Sequence, residues 1–109
     1  MWEFDGEIWY WRGPAPFYFV TVPELISQEI HAVAGEVSYG WGAIPVRARI
    51  GATTWQTSMF PKEGLYALPV KVAVRQAEQI EEGDVVTAHL ELEPGRSQIT
   101  VREPISGTG

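Results

Sequence analysis

At 109 residues, with 45% hydrophobic and 20% charged residues and no cysteine, the chain is expected to form one domain around one core; disulfides, thiol catalysis and thiolate metal sites are excluded. The longest apolar runs, such as Phe17–Val20, fall far short of the roughly 18 residues that cross a bilayer, and the acidic start MWEFDGEIW is unlike a signal peptide, so a cytoplasmic protein is expected. A net charge of −6 argues against general nucleic-acid binding, which needs a broad basic face.

Residues 2–11 alternate as a strand, with Glu3, Asp5 and Glu7 at its wet start. From Ile8 onward both faces are apolar, which predicts a strand running from a solvated edge into the interior. Arg12-Gly13-Pro14-Ala15-Pro16 reads as a turn, and Phe17–Val22 as a second strand rich in aromatic and β-branched residues. Pro23 suits the first position of a helix whose apolar stripe is Ile26, Ile30 and Val33, with Gly35 as its stop. A strand is expected around Glu36–Tyr39, a turn at Gly40-Trp41-Gly42, and a strand from Ile44 to Ile50, extension resuming over Thr53–Thr57.

Met59-Phe60-Pro61-Lys62-Glu63-Gly64 reads as a loop, and Leu65–Leu68 as a short strand. The segment from Val70 fits two patterns: Val70, Val72 and Val74 alternate like a strand, whereas Pro69 at the first position and the Val70–Val74–Ala77 spacing favour a helix. Helix is preferred. Glu82-Gly83-Asp84 is a turn, Val85–Leu92 a strand with Val86, Ala88, Leu90 and Leu92 on one face, and Gln98–Arg102 at most a weak strand. The runs FVTVPELISQEI and YALPVKVAVRQAEQI repeat the order strand, apolar residue, Pro, short helix. Each puts an apolar residue, Val22 or Leu68, at the expected N-cap, where Ser or Asp would cap better; those two residues are therefore expected to serve as apolar plugs. Two such halves would make a small barrel with a helix over each end.

The run Trp9, Val22-Pro23, Gly40-Trp41-Gly42, Val46, Ile50, Trp55, Thr57-Ser58, Pro61, Gly64, Tyr66, Leu68-Pro69-Val70-Lys71, Val74-Arg75 and Ile80 with Gly83-Asp84 resembles a family of small bacterial proteins. That family is catalogued as a domain of unknown function and also occurs fused to YdeI/OmpD-associated domains. The resemblance reaches to Leu92 and implies a mainly β chain: a small double-split β-barrel (pseudo-barrel) capped by two short helices, as in the AbrB/MazE group. It implies no established activity. Val72 departs from it, standing where a second lysine is expected. The expected organisation is a barrel domain over residues 1–93 and a partly disordered tail over 94–109.

Charge segregation is the most informative functional signal. Arg47, Arg49, Lys62, Lys71 and Arg75 fall between Val37 and Ala77 with a single acid, Glu63, a local net of +4; three bases and thirteen acids leave −10 elsewhere. If extension continued past Gly51, Arg47 and Arg49 would share a face with Thr53 and Trp55, a setting for forked hydrogen bonds to a carboxylate or phosphate. The structural alternative pairs those arginines with Glu91 or Glu93 on a neighbouring strand. Lys71 and Arg75, four apart, share one helix face; Glu78 could neutralise Arg75, or the two could line a pocket with Ser58 and Tyr66.

A Ser58–Lys71 nucleophilic pair, a metal site at His31 and His89, and catalysis by Glu3/Asp5/Glu7 or Glu91/Glu93 are weaker readings; the acids fit an edge strand guarded against strand addition. No cofactor motif is present. Gly40-Trp41-Gly42 precedes a strand, not a helix, and so is not a nucleotide loop; the tryptophans Trp2, Trp9, Trp41 and Trp55 are expected in the core. The leading expectation is a non-enzymatic binding domain for a small anionic or aromatic ligand, or a protein partner. Its surface would comprise Arg47, Arg49, Trp55, Ser58, Tyr66, Lys71 and Arg75, on a monomer or homodimer. The alternatives are a cofactor-free isomerase or cyclase with a Trp-lined barrel pocket, and DNA binding by fold analogy, which the charge disfavours.

Overall fold

The computed structural model describes residues 1–13, 17–34 and 42–93. The strands are β1 (Trp2–Trp11), β2 (Phe17–Thr21), β3 (Ile44–Ile50), β4 (Thr53–Lys62), β5 (Leu65–Pro69) and β6 (Val85–Leu92); the helices are α1 (Glu24–Ala34) and α2 (Val72–Glu78). The strands close into a barrel in the order β1-β2-β5-β4-β3-β6, with every pairing antiparallel. The expected mainly β barrel with two short helices is thus present. Strict alternation builds it: β3 buries Ile44, Val46, Ala48 and Ile50 and exposes the residues between them. The interior is filled by Ile8, Val20, Val46, Met59, Leu68 and Leu90, each with almost no exposure.

One long strand closes the barrel. Trp2–Glu7 of β1 pair with β6, and Ile8–Trp11 pair with β2. At the switch, the Ile8 backbone bonds to the turn before β6, accepting from Gly83 N–H and donating to Asp84 O, both at 2.8 Å. Gly6 has no Cβ because the Val20 side chain occupies that space. The acids of β1 lie on the half of the strand that pairs on one side only, with β6, as an edge reading expects; Asp5 accepts from Thr87 Oγ1 at 2.6 Å and Glu3 lies 3.9 Å from His89 Nδ1.

Several expectations need correction. β1 does not run into the interior; Trp9 and Tyr10 are half-buried, and Trp11 is 43% exposed. Of the expected stripe of α1, Ile30 is buried and Ile26 packs against the core, but Val33 is 54% exposed, and Ser27 and Ala34 complete the buried side. Ser27 Oγ donates to Val22 O (3.0 Å) and accepts from Tyr66 N–H (3.1 Å), tying the end of β2 to β5. Pro69 ends β5 instead of opening a helix, and the N-cap of α2 is Lys71, without a side-chain cap. Val22 and Leu68 are not caps, yet both are fully buried, as plugs would be.

The expected loop at 59–64 is mostly strand. β3 ends opposite Met59, so Pro61 lies where β4 has a neighbour on one side only and its missing N–H costs no ladder bond. Only Glu63 and Gly64 turn, both at positive φ (56° and 81°), in a two-residue hairpin. The expected strands at 36–39 and 98–102, Gly40 and Trp41 of the expected turn, and the tail all lie outside the described residues. No helix among the described residues is long and apolar enough to cross a membrane.

Candidate functional site

The hairpin between β3 and β4 decides which charges meet. It turns in two residues, Gly51 and Ala52, so Ile50 pairs with Thr53, Ala48 with Trp55 and Arg47 with Gln56. Trp55 consequently shares the inward face with Ala48, while Arg47 and Arg49 project outward. The single surface expected from Arg47, Arg49, Trp55, Ser58, Tyr66, Lys71 and Arg75 therefore does not form. Arg47 pairs with Glu91 (3.6 Å) and Glu93 (3.7 Å) of its neighbour, and Arg49 donates to Gly51 O at 2.8 Å. Trp55 is a core residue whose indole N–H donates to Pro69 O at 3.1 Å.

Ser58 sits on β4 opposite Pro45, and no hydrogen bond joins it to Lys71, whose ammonium donates to Gln56 O at 2.9 Å. Tyr66 is buried with its hydroxyl 3.4 Å from His31 Nδ1, and burial pushes its phenol above the ordinary 10.0. Among the described residues no three His, Asp or Glu side chains gather as metal ligands.

Lys71 and Arg75 do come together, at an open groove of about 380 Å³ beside the start of α2. Its walls are Phe17, Tyr18, Phe19, Phe60 and Val72, over a floor of Pro69 and Val70. Arg75 does not pair with Glu78. The Glu78 carboxylate instead accepts from Thr53 Oγ1 and from Ala52 N–H (3.3 Å), clamping the hairpin to α2. That leaves the Arg75 guanidinium 3.8 Å from the Tyr18 ring centroid, with Nε donating to Val70 O at 3.3 Å. Both Nη groups of Arg75 are without a hydrogen bond or carboxylate among the described residues. A planar donor held on an aromatic face with its fork open suits a carboxylate. A groove of this size lies within the usual range for small-molecule sites.

Sequence reasoning missed the aromatic half of this region. Trp9 pairs with Phe19 and Trp11 with Phe17, so four rings share the outer face of β1 and β2, the Trp9 and Phe19 centroids 5.0 Å apart. Phe60 joins them from β4, 49% exposed, and Lys62 lies 5.2 Å from the Trp11 ring and 6.0 Å from Trp9. The signal was available in the period-two spacing of Trp9/Trp11 and Phe17/Phe19, though burial is the ordinary fate of such residues. Trp2 is only partly buried against the core.

A protein-family model described as Domain of unknown function (DUF1905) matches residues 4–90. Comparison with the curated proteins gave no match.

Proposed function

The chain belongs to this family of domains of unknown function, and from that premise we propose that it is a non-catalytic binding domain whose groove takes an aromatic carboxylate. The observation that carries this reading is Arg75: stacked on Tyr18, held at Nε by Val70 O, and presenting to an apolar groove a fork that no carboxylate meets among the described residues. A ligand's ring would lie against Phe17, Phe19 and Phe60, and its carboxylate would meet Arg75 with Lys71 alongside.

The test is titration of the protein with phenylacetate and, separately, phenylacetamide, followed by amide chemical shifts. Phenylacetate should shift Tyr18, Val70 and Val72, and the amide should bind about ten-fold or more weakly, the worth of one charge-assisted pair. Arg75→Ala should weaken phenylacetate by about the same factor, and Arg75→Lys should not restore it, because an ammonium lacks the fork. Equal binding of acid and amide, or shifts confined to Arg47 and Arg49, would overturn the reading.

A further inference from the structure

The groove beside Arg75 has a neighbour on the same face. A second open groove of about 540 Å³ adjoins it, sharing Phe17, Phe19 and Phe60 as the common ridge and extending to Trp9, Trp11 and Lys62. Its floor is Ala67, a small residue on the outward side of β5, opposite Thr21 and Phe60. Trp9 is held in place by its indole N–H, which donates to Thr21 Oγ1 at 2.9 Å. The two grooves cross four neighbouring strands, β1-β2-β5-β4, or three inter-strand spacings of about 4.8 Å each. An extended peptide of about five residues covers that distance.

Charge selects the occupant. Arg75 and Lys71 border one groove and Lys62 borders the other. The one carboxylate within ion-pair distance of these cations among the described residues is Glu63, 3.9 Å from Lys62 and 84% exposed, a contact of little energetic weight. A second copy docked on the same face about a two-fold axis would set this basic rim against itself. Residues 94–109 of the chain carry two arginines and one glutamate, the wrong sign for the same surface. The two grooves lie across β1, β2, β5 and β4, strands that are already paired with one another along this face, so the occupant is gripped through its side chains.

We propose that this face docks an extended acidic segment of a partner protein, seating two large apolar side chains in the two grooves and its carboxylates on Arg75 and Lys62. This deepens the reading given above and rests on it: the phenylacetate groove becomes one of two anchor sites. Exposed aromatic area of this kind, Trp11 at 43%, Phe17 at 52% and Phe60 at 49%, is what a side-chain dock requires.

The test uses fluorescein-labelled peptides of about ten residues, rich in Glu, with two Phe placed about two to four residues apart. Controls are the same peptides with one Phe replaced by Ser, peptides with Gln for Glu, and decathymidylate. Anisotropy with the full chain should show the best two-anchor peptide binding about ten-fold tighter than its one-anchor and Gln counterparts. Lys62→Glu and Trp11→Ala, both at exposed positions, should each weaken it by a similar factor and leave phenylacetate binding unchanged. If phenylacetate binds but two anchors are no better than one, the second groove is not part of the site and the inference fails alone. If neither binds, both readings fail. Decathymidylate binding more tightly than any peptide, or a dimer dispersed by Trp11→Ala in sedimentation, would replace the peptide by those occupants.

Discussion

Ser27 and Tyr66 show how much of this fold depends on single polar groups placed inside it. The Ser27 hydroxyl serves a carbonyl at the end of β2 and an N–H of β5 at once, so Ser27→Ala leaves two buried backbone groups without a partner. A loss of about 1–3 kcal/mol is expected in urea unfolding; a loss near zero would mean that the two groups find other partners. Tyr66 adds a pH dependence. Burial raises its phenol above 10.0, so the neutral form is favoured by folding. The stability associated with that form is complete below pH 10 and is lost as pH rises through the folded value. Tyr66→Phe should therefore lower stability at neutral pH, through the lost contact with His31, yet flatten its decline above about pH 10. Parallel pH curves for the two proteins would contradict that assignment. Neither role is readable from the sequence: Ser27 lies in a segment whose apolar spacing points to another helix face, and Tyr66 is one of four tyrosines with nothing local to distinguish it.

Local chemistry explains why the elements were largely legible and where the reading failed. β6 was placed from Val85 to Leu92, as found, because its alternation is uninterrupted and a Gly-Asp turn precedes it. Pro61 and Pro69 misled because the significance of proline depends on which neighbours a strand has, and neighbours are set by the whole sheet. The charge cluster failed for a related reason: whether Arg47 meets Trp55 depends on the number of residues in one hairpin turn, and its actual partners, Glu91 and Glu93, lie more than forty residues away. The turns themselves can be tested. Glu63 occupies a positive-φ position before Gly64, where Asn is preferred in two-residue hairpins. Glu63→Asn should raise stability by about 0.5 kcal/mol, a gain of about 2–4 °C in Tm, since the exposed Lys62 contact that it removes is worth little. Gly51→Ala should act oppositely and more strongly. It meets a φ of 59° and the Glu78 carboxylate together, and a loss of about 1–3 kcal/mol is expected in the same measurement.

Closure governs the molecule as a whole. The β3–β4 and β4–β5 hairpins join residues close in sequence, whereas the seam between β1 and β6 joins Trp2 to Leu90 and Phe4 to Ala88. Forming that seam early would fix nearly the full chain as a loop before its contacts compensate the lost entropy. The hairpins are therefore expected in the folding transition state and the seam after it. Two core truncations separate these stages. Val46→Ala removes a fully buried side chain from β3, and Phe4→Ala removes a buried one, 6% exposed, from the seam; the costs at equilibrium should be about 1–3 and about 3–5 kcal/mol. Stopped-flow refolding and unfolding should show the Val46 change mainly as slower folding. The Phe4 change should appear mainly as faster unfolding, with the refolding rate within about two-fold of the parent. A Phe4→Ala protein that refolds as slowly as its stability loss allows would place closure in the transition state, and the barrel would then be assembled from its ends inward.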